Sequence, residues 1–268
     1  MPALLAHMNL VKDLVKENPK IFSSADLKYL IQGATFPDIY YITELKSIVK
    51  KPNLSKFIHE NDIDYSFAKT LLKKSKNKPE RLFAIGLLSH LILDKRVHDY
   101  LKEKGIYTDI KHMVSEYYLE TKFQNSKIPT PRLPLKLIKE GLKEQYPEDY
   151  NIYKTRIKLS IKSVLFYEFA NTFIIKKIIN GRYRTENNKT RWSLLNLPFK
   201  LARMSKYKKM GYDYTALLNP DISVKTLYLE DLYKKYIQSK KELINMIVEQ
   251  ELHVIDYMTH QTEIRDFI

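Results

Sequence analysis

There is no cysteine among the 268 residues, which removes disulfides, thiolate nucleophiles, cysteine zinc fingers and thiolate-bound iron–sulfur clusters together. Any bound metal must therefore rest on nitrogen and oxygen donors. Glycine is scarce, at 6 residues, too few for a turn-rich β architecture. Long stretches of Leu, Ile and Lys at helical spacing predict an all-α fold. No window reaches the ~18 consecutive apolar residues that a membrane span needs. The opening MPALLAHMNLVKDLVKENPK has no charged leader ahead of an apolar run, so a soluble, cytoplasmic protein is expected. Linkers, internal repeats and low-complexity tracts are also missing, and we expect one domain over residues 1–268.

Acidic residues are in deficit. Lys and Arg number 46 against 31 Asp and Glu, a net charge of +15, and the excess is uneven. Residues 151–210 hold 15 basic residues against Glu168 and Glu186 alone. A field of this sign attracts phosphate groups, whether of nucleic acid or of an anionic membrane surface, and does not distinguish the two.

Periodicity predicts a first helix over 2–17, starting at Pro2, with Leu4, His7, Met8, Val11, Leu14 and Val15 on one stripe, so His7 faces the interior. Ser24 is suited to cap a short helix ending near Gly33. Pro37 should then push Phe36 out of helical geometry and leave Asp38 in a loop. A pattern over 42–60 is broken by Pro52, and His59 closes KFIHEN before a polar turn. Residues 64–76 resume a helix. Pro79 opens the clearest one, about 26 residues long and stopped by Gly105, with a middle apolar on most faces. Further helical runs are expected over 108–124, from Leu135, and near 150–180, 191–209 and 222–262. Pro129, Pro131 and Pro134 mark an extended connection between the part over 1–125 and the basic helical half over 126–268.

The central helix places His90, Asp94 and His98 at i, i+4 and i+8, on one face and spread over about 12 Å at ~1.5 Å per residue. His112 and Glu116 repeat the four-residue spacing on the next helix. A lone histidine on a helix is usually a satisfied core or surface residue. Asp94 sits in an otherwise apolar run, however, where an uncompensated charge costs several kcal/mol, and a bound Zn²⁺ would compensate it. His253, Asp256 and His260 form another helical cluster, read as structural or surface residues.

PALLAH, GATFPD, FIHEN, FAIGLLSHLILDKRVH and HMVSE, in that order, resemble the zinc-dependent phospholipase C family, which shares its fold with fungal single-strand-specific nucleases. The resemblance spans roughly residues 2–120 and implies up to three zinc ions. It implies a first ion on Asp38, His59, His90 and Asp94, and a second on His98, His112 and Glu116. A third would use His7, a bridging Asp94 and the terminal amine of Pro2 after removal of Met1. Asp38 is also the implied catalytic group, orienting a water or accepting its proton. Two departures stand out. Only four residues separate Asp94 from His98, a shorter gap than the family usually shows, and no acidic residue near Pro2 to Leu5 matches the group that contributes to headgroup recognition.

Arg191 to Tyr212 combines Trp192 and Phe199 with Lys200 and Arg203 in a dense basic setting. This suits an ordinary surface helix packed on the core first, and an anionic membrane surface second. Tyr153, Tyr167, Tyr183 and Tyr207 among the lysines and arginines suit a groove that stacks bases. The expected activity is zinc-dependent hydrolysis of a phosphodiester, with a phospholipid first and single-stranded nucleic acid second. A metal-stabilised binding or structural protein is the reading from another class.

Overall fold

The computed structural model describes residues 4–44, 54–61, 64–105, 119, 133–154 and 226–250, and every regular element among them is helical. The chain is all-α, as expected. The elements are α1 (Leu4–Glu17), a 3-10 turn (Ser24–Asp26), α2 (Leu27–Glu44), α3 (Leu54–Asn61), α4 (Ser66–Lys74), α5 (Lys78–Glu103), α6 (Leu135–Gln145) and α7 (Thr226–Gln250).

Helix α5 is central among the described elements, and the reasons are local before they are tertiary. Asn77 caps its start, its side chain accepting the Glu80 N–H at 3.0 Å, with Pro79 in the first turn. The Glu80 carboxylate returns to the Lys76 N–H at 2.8 Å. Gly105, at φ +64°, ends the run in a left-handed conformation that glycine adopts without strain. Every residue from Leu82 to Asp94 is buried, and α1, α2, α4 and α7 all pack around this stretch.

Helix α2 corrects two expectations. Ser23, not Ser24, stands at the cap, where its N–H donates to the Asp26 carboxylate at 2.8 Å. The helix then runs through Gly33 and Pro37 to Glu44, so Asp38 is helical and not in a loop. An internal proline costs ~3 kcal/mol, whereas fully burying one large apolar side chain gains ~1.5–3 kcal/mol. Residues 30–38 are all buried, so packing of Leu30, Ile31 and Phe36 outweighs the local penalty. Phe36 packs edge-on against Phe83 of α5.

The α2–α5 crossing is as close as two backbones allow. A Cβ on Gly33 would lie 1.9 Å from the Phe83 carbonyl oxygen, and one on Gly86 would lie 2.1 Å from that of Leu30. Each glycine admits the other helix. On the far side of α5, α7 buries Leu232 and Tyr236 against Leu93, Val97 and Leu101. It is tied to α1 by Tyr236 Oη donating to Asp13 Oδ2 at 2.7 Å and Lys240 Nζ to Glu17 Oε1 at 2.5 Å. Arg96 of α5 pairs with Glu242.

Tyr153 is buried and packs on Phe57 of α3 at 4.3 Å between ring centroids, so it is not available to stack a base. Tyr167, Tyr183, Tyr207 and the His253–His260 cluster lie outside the described residues.

Candidate metal centre

One turn beyond the glycine crossing, α2 and α5 bring Asp38, His90 and Asp94 to the same place. α1 adds His7 and α3 adds His59. His7, Asp38, His90 and Asp94 are all buried, His90 completely. Six of the residues singled out by sequence therefore converge, the sixth being His98. Pro2, His112 and Glu116, and the surface residues Trp192, Phe199, Lys200 and Arg203, lie outside the described residues.

Backbone carbonyls orient two of the imidazoles. His59 Nδ1 is 2.7 Å from the Ser55 carbonyl oxygen and His90 Nδ1 is 2.7 Å from that of Ala34. A carbonyl only accepts, so both Nδ1 atoms carry hydrogen and both Nε2 atoms present a lone pair in the neutral rings. These two Nε2 atoms face each other at 2.9 Å. Asp38 Oδ1 is 3.9 Å from each, and Asp94 Oδ2 is 3.7 Å from that of His59. His7 stacks on His90, with ring centroids 3.9 Å apart and planes inclined by 19°. His98 Nδ1 lies 3.1 Å from Asp94 Oδ2.

The electrostatics follow from burial. His90 is held well below the ordinary imidazole value by burial first, then by His7 and His59, so it stays neutral. Burial pushes Asp94 upward, but His98 and His59 beside it outweigh that and hold its carboxyl well below the usual range. The centre thus contains two buried carboxylates and a ring that resists protonation, an arrangement that a divalent cation neutralises.

The donor set fits zinc. Two nitrogens on a tetrahedral ion with bonds of ~2.0–2.1 Å stand about 3.3 Å apart, and the separations of 2.9 to 3.9 Å bracket that value. Carbonyl-anchored imidazoles beside carboxylates are also the usual support of such sites. Two groups have all their ligand atoms within 4.8 Å of one another, His7–Asp38–His90 and His59–His90–Asp94. They share His90, whose one lone pair, on Nε2, serves one ion. Asp94 falls in the His59 group. The supporting carbonyls of Ser55 and Ala34 carry no side-chain signature in sequence. Gly86 does, as a glycine inside an apolar helix, which marks close backbone approach.

Among the described residues the elements are helices, and they enclose a buried cluster of imidazoles and carboxylates that could hold a metal ion. The family model for zinc-dependent phospholipase C matches residues 4–189, and the chain belongs to that family. The match runs past the limit near residue 120 expected from sequence motifs, into the basic half. No curated protein and no solved structure matched the chain. Among the described residues, no helix is long and apolar enough to cross a membrane.

Proposed function

We propose that the chain hydrolyses the phosphodiester bond of a phospholipid headgroup at this centre. The observation that carries the reading is the pair of Nε2 lone pairs at 2.9 Å, flanked by two buried carboxylates. Asp38, His59, His90 and Asp94 would hold one zinc ion, and His98, His112 and Glu116 a second. His7 and the Pro2 amine would complete a third position. Zinc bound there would supply a water-derived nucleophile at neutral pH and neutralise charge on the phosphate. The chain's own contribution is positional. Carbonyls of Ser55 and Ala34 aim the imidazoles, His98 fixes the Asp94 carboxylate, and Asp38 would orient a water and receive its proton. In this reading the basic segment 151–210, with Trp192, Phe199, Lys200 and Arg203, meets the lipid surface.

The test uses the zinc-loaded full chain with short-chain phospholipids, a chromogenic phosphodiester, and single-stranded DNA and RNA in parallel. Release of a phosphorylated headgroup, abolished by His90→Ala and by Asp94→Asn, is expected. Equal turnover in either variant or in metal-stripped protein refutes the mechanism. Turnover of nucleic acid alone transfers the centre to the nuclease reading, and tight zinc without turnover to a structural one.

A further inference from the structure

Pro37 lies in the middle of α2, buried, directly before Asp38. A proline there has no N–H to offer the carbonyl four residues back, that of Gly33, and its ring presses against that carbonyl. The next carbonyl in the same turn is Ala34's, the one that accepts the His90 Nδ1–H at 2.7 Å from another helix. In a regular α-helix a carbonyl points along the axis to the N–H four residues on. Its second lone pair is open to a donor from a neighbouring helix, and that donor reaches it best where the carbonyl tilts off the axis. The Gly33–Gly86 contact brings α5 close enough for the His90 ring to reach it.

We propose that Pro37 is a positioning residue: by opening the turn from Gly33 it tilts the Ala34 carbonyl toward α5, which holds the His90 hydrogen on Nδ1 and leaves Nε2 directed at Asp38 and His59. The inference rests on the metal-binding reading above for its affinity readout. Its tautomer readout stands apart from that reading.

The experiment compares the full-length wild type with Pro37→Ala by three measurements. Zinc affinity is read by competition with a chromophoric chelator, the His90 tautomer by ¹⁵N NMR of the imidazole rings in zinc-free protein, and the thermal midpoint by circular dichroism. The variant regains an N–H and a better helix former, so its midpoint should equal or exceed that of wild type. Its zinc affinity should fall at least ten-fold, and His90 should become a mixture of tautomers. Unchanged affinity, or lost affinity with the Nδ1–H tautomer intact, overturns the proposal. A wild type that binds no zinc sinks the metal reading, and the tautomer comparison then decides this one. If the alanine variant does not fold, Pro37→Val keeps most of the ring's volume and carries the same expectations. Failure of both to fold makes Pro37 a structural residue and ends the proposal.

Discussion

Substituting Gly86 by alanine isolates how the metal centre depends on the approach of α2 to α5. The added Cβ would stand 2.1 Å from the Leu30 carbonyl oxygen and 2.9 Å from the Ala34 nitrogen, both backbone atoms, where ordinary contact begins at 3.4 Å. Neither can rotate away, so the helices must separate by more than an ångström. The His90–Ala34 bond, now 2.7 Å, then opens beyond hydrogen-bonding reach. Overpacking costs ~1–3 kcal/mol and the lost buried hydrogen bond ~1–3 kcal/mol, offset by ~1 kcal/mol of improved helix propensity. The net loss is about 3 kcal/mol, or a fall of about 1 M in the urea midpoint for a slope near ~3 kcal/mol/M. Gly105→Ala is the control, because nothing lies within 4 Å of its Cβ and only its φ of +64° resists the change, at ~1 kcal/mol. Urea unfolding with a zinc titration of each protein measures both. Gly86→Ala should lose more stability than the control, and it alone should weaken zinc binding. A midpoint for Gly86→Ala equal to or above that of wild type would refute the crossing as the element that sets the site.

Protonation of the zinc-free protein should weaken it in a defined window. His90 is depressed below its ordinary value of 6.5 by burial, His7 and His59, so below pH 6.5 the unfolded chain binds a proton that the folded chain refuses, and stability falls with pH. Asp94, depressed below 3.8 against its own burial by His98 and His59, adds a second loss only as pH drops beneath that value. Urea midpoints from pH 8 to 5 should decline below 6.5 in wild type and flatten in His90→Gln. An identical slope in that variant would place the effect on another group. Tyr236→Phe removes the donor to Asp13 Oδ2 and should cost about 1–2 kcal/mol while leaving zinc affinity within two-fold, since Tyr236 packs with the cluster around Leu93 and Leu232 and not with the histidines. Full stability in that variant would mean that packing and the Lys240–Glu17 pair hold α7 to α1 without the tyrosine hydroxyl.

What could be read from residues alone is what is encoded within one or two helical turns. The start of α5 is written in Asn77, Pro79 and Glu80, its end in Gly105, and the His90–Asp94–His98 stripe follows from 3.6 residues per turn. His7 faces inward because Leu4, Val11 and Leu14 share its stripe. Asp38 was misplaced for the opposite reason. Pro37 is a strong local signal for a break, and what overrides it is burial of residues 30–38, a property of the partner helix. Likewise nothing local pairs Gly33 with Gly86, or Ala34's carbonyl with a ring 56 residues away. These gaps share one cause. Four of the six donors, His7, Asp38, His90 and Asp94, are buried, and most of their neighbours on those helix faces are apolar. The helices bury those stripes for hydrophobic reasons, and the carboxylates and imidazoles are carried inside with them. The centre is thus a polar defect that packing forces inward, and the same packing makes a cation the natural means of offsetting it.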